Sequence, residues 1–259
     1  MGGGLGLLGG CSHRIGTPST RIAMPEITIG LFPDAGGTQF LSSLPDHLGM
    51  FAGLTGCQLS AADALAVGLL DVIVDAEAKT DLFAALADEQ WVTGSGSVGE
   101  RLDELVQGFK SSAPLPENLQ RLRPQIAQLM TAAFDSGDAF FDTFEASLEA
   151  LPASLLEDDW LSAAIATYRS GSPTTARIFL EQMLRARTMS LAERFRMELN
   201  IAFACTRHPD FPEGVRALLI DKDKQPNWVY KTAQSVPNEY VQAHFEPGWS
   251  GSHPLSDLG

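Results

Sequence analysis

Basic side chains are scarce in this chain. Its 259 residues include 18 Lys and Arg against 32 Asp and Glu, so the formal net charge is −14. Binding sites for nucleic acid and for anionic membranes depend on clustered positive charge. The sequence therefore predicts neither of these partners, and an anionic small ligand would need a local basic patch that no segment of the sequence reveals.

Cysteine and histidine are also few, and they are scattered. Cys11, Cys57 and Cys205 are odd in number and show no CxxC spacing, which predicts buried thiols in a reducing compartment. The five histidines form no i, i+4 pair and no group with cysteine. Because a protein metal site needs several such ligands close together, no metal site is predicted.

Long apolar runs are absent as well. No segment approaches the roughly 20 apolar residues that a membrane-spanning helix needs, so no membrane partner is predicted. The first residues show neither the basic segment of a secretory signal nor the arginines of a transit peptide. The chain is nevertheless long enough to bury a core, as one large domain or as a domain with a helical appendage.

Two acids stand inside an otherwise uncharged, glycine-rich segment, residues 24–37. Glu26 follows Pro25 and Asp34 follows Pro33, so each carboxylate lies on backbone that a proline ring restricts. The residues between them carry no charge, which predicts a dry pocket wall where pKa values are displaced and acid/base or nucleophilic chemistry becomes possible. The alternative is a surface turn with two solvated acids, because Pro-Asp and Gly-Gly are also common in turns.

A glycine run occupies residues 1–10. Its lack of side chains lets a ligand approach the backbone, and a helix starting there would present N–H groups that have no internal partner. Residues 4–9 also match the dinucleotide pattern GxGxxG. That motif needs a strand before its first glycine and a helix and second strand after it, whereas only three residues precede Gly4 and residues 14–25 hold two prolines. No dinucleotide cofactor is predicted.

These motifs together resemble the crotonase (enoyl-CoA hydratase/isomerase) superfamily. The family pattern continues in residues 54–71, and the tail at residues 212–228 and 244–245 resembles the 3-hydroxyisobutyryl-CoA hydrolase branch in particular. The resemblance implies an α/β fold: a partial crotonase-type ββα spiral core followed by a mainly helical C-terminal region. In the family a β-rich portion precedes the glycine run. Met1 is therefore expected to be an internal methionine, whether of a truncated gene model, a fragment or a real short form.

The resemblance also bears on the reaction. Hydratases of the superfamily carry one glutamate after the glycine run, where this chain has Gly6, and a second that corresponds to Glu26. Hydratases have glycine at the position of Asp34. The hydrolases have aspartate there, and an aspartate also suits some isomerases. The implied activity is hydrolysis of an acyl-CoA thioester, in particular 3-hydroxyisobutyryl-CoA in valine breakdown. Hydration or isomerisation of an enoyl-CoA, and a binding or scaffold role without turnover, remain as alternatives.

The same resemblance implies roles for three residues that contact the substrate. Glu26 acts as nucleophile or as base, and Asp34 holds the substrate hydroxyl or the water. The N–H of Gly3 stabilises the oxyanion, together with a second donor from the leading portion. Coenzyme A enters only as part of the substrate, so no cofactor is expected. A homo-oligomer is possible, and the expected location is the cytoplasm in a bacterium or the mitochondrial matrix in a eukaryote.

The resemblance and a change of composition after residue 75 predict three segments: the remainder of the crotonase core with the acid pair at residues 1–75, a helical region at 76–170, and C-terminal helices with the hydrolase-type tail at 171–259. Predicted strands are 13–17, 21–24 and 69–74, with a Pro18-Ser19 turn between the first two. Predicted helices are 5–11, 36–44, 45–54, 61–67, 173–187 and 191–206, and helix breaks are predicted near 93–97, 113–114 and 137. Ser60 is predicted to cap the helix at 61–67, with Asp63 at its third position, and Ser190 with Glu193 is predicted to form a capping box for the helix at 191–206.

Overall fold

The computed structural model describes residues 3–91 and 98–259, and this part of the chain is mostly helical. Its helices are α1 Gly3–Gly9, α2 Gly37–Ser42, α3 Leu48–Thr55, α4 Ala61–Ala66, α5 Lys79–Asp88, α6 Val98–Gln107, α7 Asn118–Asp135, α8 Phe140–Glu149, α9 Ala153–Leu156, α10 Asp159–Ser170, α11 Pro173–Ala186, α12 Leu191–Cys205, α13 Asp210–Val215 and α14 Asn238–Ala243. Its strands are β1 Ile15–Gly16, β2 Arg21–Ile22, β3 Leu59–Ser60 and β4 Val72–Ile73. Met1, Gly2 and the predicted break at 93–97 lie outside the described residues.

Most predicted helices are present with shifted ends. The helix expected at 5–11 begins earlier, at Gly3, and the one expected at 45–54 is a 3-10 turn, Pro45–His47, followed by α3. The predicted region 76–170 is mainly helical where it is described, with non-helical stretches at 89–91, 108–117, 150–152 and 157–158 and a 3-10 turn at Gly137–Ala139. The division into segments 1–75, 76–170 and 171–259 stays a prediction.

The chain divides into two compact units. One comprises residues 7–22 and 59–122 and holds all four strands. In it, β1 pairs in parallel with β4, and β2 pairs antiparallel with β3. The predicted Pro18-Ser19 turn is present between β1 and β2, but each of these strands takes its partner from residues 59–73. A core of Val72, Val74, Leu82 and Val106 supports this unit.

The other unit comprises residues 1–6, 23–58 and 123–259, and it contains both acids of the predicted pair. Helices α3, α10 and α13 pack against the turn that carries Glu26, and side chains of α11 and α12 pack against Phe32, which lies between the two acids. One of its hydrophobic clusters consists of Phe32, Ile178, Met197, Ile201, Cys205, Val236, Val241 and Phe245. Because Phe32 lies between the two acids in the sequence and is fully buried, the acid segment is part of the core. A surface turn is therefore ruled out.

Two capping boxes fix helix starts as the sequence predicts. Ser60 accepts a hydrogen bond from the backbone N–H of Asp63 at the start of α4, and Ser190 does so from Glu193 at the start of α12. In each box the acid side chain accepts a hydrogen bond from the backbone N–H of the serine. The second box sets where α12 begins, and α12 supplies a residue of the site described below.

The prediction of three buried thiols is wrong for one of them. Cys57 and Cys205 are buried, but Cys11 is exposed. Cys11 follows α1, and its thiol donates only to the carbonyl of Leu7 one turn earlier. Gly9 and Gly10 before it are exposed as well, so a small apolar neighbourhood in the sequence did not become a buried one. In the described part of the chain, no helix is both long and apolar enough to cross a membrane.

Candidate active site

Glu26 opens a 3-10 turn, Glu26–Ile29, directly after Pro25. The turn ends at Gly30, whose φ of 67° lies in the left-handed region. A Cβ at Gly30 would lie 2.4 Å from the carbonyl oxygen of Asp210, so only glycine fits there. The Glu26 side chain is 7% exposed. Its Oε2 is buried and has no hydrogen-bond partner among the described residues, so one carboxylate oxygen is left for a ligand.

The environment of Glu26 alters its acidity. Burial is the main cause that raises its pKa, and the negative charge of Asp34 raises it further, to about 7; a bond from its own backbone N–H partly opposes this. A carboxyl group with such a pKa is partly ionised near neutral pH. It can therefore both accept and donate a proton there.

Asp34 is half-buried after Pro33. Burial raises the pKa of Asp34, and a hydrogen bond from its own backbone opposes that shift. The negative charge of Asp34 is one of the causes that raise the pKa of Glu26. The two predicted residues thus form an electrostatically interacting pair.

The loop that carries Asp34 has an unusual backbone. Ala35 has φ of 51° and Gly36 has φ of 87°, two consecutive residues in the left-handed region. The N–H of Gly37 donates to the carbonyl of Asp34 at 2.7 Å, which closes the turn before α2. For alanine this conformation costs of order 1 kcal/mol or more, and such residues persist where the surrounding structure holds them.

A third acid, which the sequence reasoning missed, lies against this loop. Glu198 projects from α12 and is 5% exposed. Its Oε2 accepts the N–H of Gly36 at 2.8 Å and its Oε1 accepts that of Thr38 at 2.9 Å. Its position among the buried residues of α12 was a usable signal: Glu198, Ile201 and Cys205 follow helical spacing on the core face. A glutamate on such a face needs hydrogen-bond partners, and the N–H groups of the loop supply them.

The glycine run approaches the same loop. A Cβ at Gly6 would lie 2.1 Å from the carbonyl oxygen of Ala35, so α1 contacts the loop through bare backbone. Gly3, the first residue of α1, has open space beside it, since a Cβ there would meet nothing within 4 Å. The N–H groups of a first helical turn have no intrahelical partner. These features are compatible with the predicted donor role of Gly3, which stays a prediction.

The charge and ligand set of the site suits an organic substrate. Across residues 3–91 and 98–259 no group of three or more His, Cys, Asp or Glu side chains is placed to hold a metal ion. The groups present are two interacting carboxyls, a buried glutamate bonded to backbone N–H groups, and a glycine-rich helix, α1, whose Gly6 contacts the Asp34 loop. Proton transfer and nucleophilic attack are the chemistry that these groups can perform.

Comparisons with known proteins agree with this arrangement. A family model described as enoyl-CoA hydratase/isomerase matches residues 1–245. The mitochondrial 3-hydroxyisobutyryl-CoA hydrolase of Danio rerio is 35% identical over 247 residues, and that of Gallus gallus is 31% identical over 253; each match covers 95% of this chain and 61% of the relative. The chain therefore spans about three-fifths of the length of these curated relatives.

Solved structures give the same fold. A carnitinyl-CoA dehydratase from Mycobacterium thermoresistibile matches with a TM-score of 0.76 at 29% identity, and an enoyl-CoA hydratase from Rhodobacter sphaeroides 2.4.1 with 0.76 at 30%. Each match covers 95% of this chain and 65% of the other. The expected crotonase-type fold is confirmed, in a form that is mostly helical with few short strands. By its sequence over residues 1–245 and by its fold, the chain belongs to the enoyl-CoA hydratase/isomerase (crotonase) family.

Proposed function

We propose that this chain carries the reacting acids of an acyl-CoA thioesterase that converts 3-hydroxyisobutyryl-CoA and water into 3-hydroxyisobutyrate and CoA. The observation that carries the proposal is the carboxyl of Glu26, buried beside Asp34 with Oε2 unpartnered in the described chain and a pKa of about 7. Support for the substrate comes from the relatives, which are named as hydrolases of this thioester.

Hydrolysis requires an oxygen nucleophile and a proton for the leaving sulfur. In one route, ionised Glu26 takes a proton from water as the water oxygen adds to the thioester carbonyl; the C–S bond then breaks and the proton passes to the sulfur. In the other, the Glu26 carboxylate itself adds to the carbonyl and the C–S bond breaks, which leaves the acyl group as an anhydride on Glu26 and CoA as a thiolate. Water then cleaves the anhydride, which restores the Glu26 carboxylate, and the proton that the water gives up passes to the sulfur. A pKa near 7 suits a group that must both accept and donate a proton at neutral pH. Asp34 holds the substrate hydroxyl or the water.

Both routes pass through a negative charge on the thioester oxygen. A backbone N–H aimed at that oxygen is typically worth about 3 kcal/mol in the transition state. The proposal gives this role to Gly3, because it is the first residue of α1 and has open space beside it. The substrate would then approach along the glycine run and meet Glu26 and Asp34.

Hydration or isomerisation of an enoyl-CoA is the second candidate, because the matched solved structures are titled as a dehydratase and a hydratase. By resemblance, hydration uses a second glutamate at the position of Gly6. A Cβ there would lie 2.1 Å from a backbone carbonyl of the Asp34 loop. A second carboxylate therefore cannot be added without moving the backbone, which argues against the hydratase pair. A binding protein without turnover is the third candidate.

Two assays run side by side separate these candidates. Free CoA released from 3-hydroxyisobutyryl-CoA is measured with a thiol reagent, and loss of the crotonyl-CoA double bond is followed by absorbance. We expect CoA release to dominate, to be abolished by Glu26→Gln and to be lowered strongly by Asp34→Asn. Dominant hydration would reject the thioesterase. Binding of the acyl-CoA with no turnover of either substrate would identify a binding protein instead.

A further inference from the structure

We propose that Glu198 is a positioning residue that, with Thr38 and Gln182, fixes the loop at residues 34–38 and so holds Asp34 in its working place. The inference rests on the proposed function, because it assigns Glu198 to the reaction of Asp34. Glu198 itself contacts neither substrate nor reacting atoms in this scheme. Its hydrogen-bond partners are the backbone N–H groups of Gly36 and Thr38.

The backbone of the loop is strained directly after Asp34. Ala35 and Gly36 both adopt positive φ, and α2 begins directly afterwards at Gly37. The bonds from the N–H groups of Gly36 and Thr38 to Glu198, at 2.8 and 2.9 Å, lie on either side of this helix start. Hydrogen bonds to an ionised carboxylate are stronger than bonds to a neutral group. Glu198 is thus placed to hold the strained conformation that follows Asp34.

Helix α11 also holds the loop, through the side chain of Gln182. Gln182 is fully buried, and its Nε2 donates to the carbonyl of Pro33 at 3.0 Å and to Oγ1 of Thr38 at 2.6 Å. The backbone N–H of Thr38 in turn donates to Glu198 at 2.9 Å, and the Thr38 side chain is one of the groups that lower the pKa of Glu198. The residue before Asp34 and the residue at the start of α2 are therefore tied to the same connected network.

Burying the carboxyl group of Glu198 beside the loop is unfavourable. Burial is the main cause that raises the pKa of Glu198, and the charge of Asp34 raises it further, whereas the bonds from Thr38 and Gly36 lower it. A residue needed only for packing would be apolar at such a place. What Glu198 supplies that leucine or methionine could not is the set of bonds to the loop.

The test compares isosteric changes at Thr38 and Glu198 with a matched control. Thr38→Val removes the hydroxyl, Thr38→Ser retains it, and Glu198→Gln replaces one acceptor oxygen by an amide. Thr174→Val, a buried change of the same kind on α11, is the control, because its hydroxyl has no partner in the described chain. Each variant is measured for kcat and KM of CoA release and for hydrogen exchange of the amides of Gly36 and Thr38.

We expect Thr38→Val and Glu198→Gln to lower kcat by about tenfold to a hundredfold, the range for a misplaced reacting group, with little change in KM. Exchange of the two amides should accelerate. Thr38→Ser should recover most of kcat, and Thr174→Val should match the parent. Unchanged kcat, or unchanged exchange, in both loop variants would overturn the proposal.

Failure of the proposed function gives a different result. If the parent releases no CoA, the thioesterase assignment falls, and the exchange rates alone decide whether Glu198 holds the loop. Faster exchange in Glu198→Gln and Thr38→Val, but not in Thr174→Val, would then support the structural assignment; equal exchange in all four proteins would reject it. If Glu198→Gln does not fold, the Val and Ser pair at Thr38 gives the comparison.

Discussion

Replacing Glu26 by glutamine should stabilise the protein at high pH and not at low pH. Gln is close to Glu in size and carries no charge, so the main effect of the change is to remove the ionisation of a carboxyl group that is 7% exposed. In the parent, the pKa of Glu26 is raised from 4.5 to about 7, above all by burial. The unfolded chain therefore loses this proton at lower pH than the folded chain does.

The size and sign of the effect follow from this difference. Below about pH 4.5 the carboxyl is protonated in both states, so ionisation costs no stability. As pH rises from 4.5 to about 7, the folded state binds more protons than the unfolded one, and the free energy of unfolding falls. At about 1.4 kcal/mol for each pKa unit, the full cost above pH 7 is about 3 kcal/mol. Glu26→Gln should recover this amount.

Urea unfolding of parent and variant at about pH 4.5 and about pH 8 measures this stabilisation, because the free energy of unfolding falls linearly with urea concentration and can be extrapolated to water. The difference between the two proteins at the higher pH, minus that at the lower pH, should approach 3 kcal/mol in favour of the variant. Exposed Glu246→Gln is the control and should show no such pH dependence. Equal differences at both pH values, or a variant that is less stable at pH 8, would refute the claim that Glu26 is held ionised against burial.

Further outcomes follow from the same site. CoA release by the parent should rise with pH through about 7 and then level off, because ionised Glu26 is the active form; a flat pH–rate profile across this range would contradict that role. Asp34→Asn should lower kcat by about a hundredfold with an unchanged melting temperature, and a large drop in melting temperature would make Asp34 structural. Gly6→Ala should cost about 2 kcal/mol of stability, since its Cβ would lie 2.1 Å from the Ala35 oxygen, whereas Gly9→Ala, with open space in the same helix, should not. Equal melting temperatures for these two would contradict the close approach.

Several features could be predicted from the sequence because they depend on neighbours along the chain. The capping boxes need only a serine and an acid three residues later, and both are present as predicted. The burial of the segment between Pro25 and Pro33 followed from its uncharged, apolar content. The acid pair of Glu26 and Asp34, eight residues apart, was visible for the same reason. The family resemblance rests on these local motifs.

Other features were decided by residues that are distant in the sequence. The bond from Gly36 to Glu198 joins positions 162 residues apart, and no local pattern specifies such a partner. The contact of Gly6 with Ala35 depends on how α1 meets the loop, and β1 and β2 pair with strands that follow 37 to 57 residues later rather than with each other. The sequence alone determined which groups could react, because residue type and local backbone set that chemistry. Only the tertiary structure determined what holds them, because burial, hydrogen-bond partners and steric limits arise where separate segments pack together.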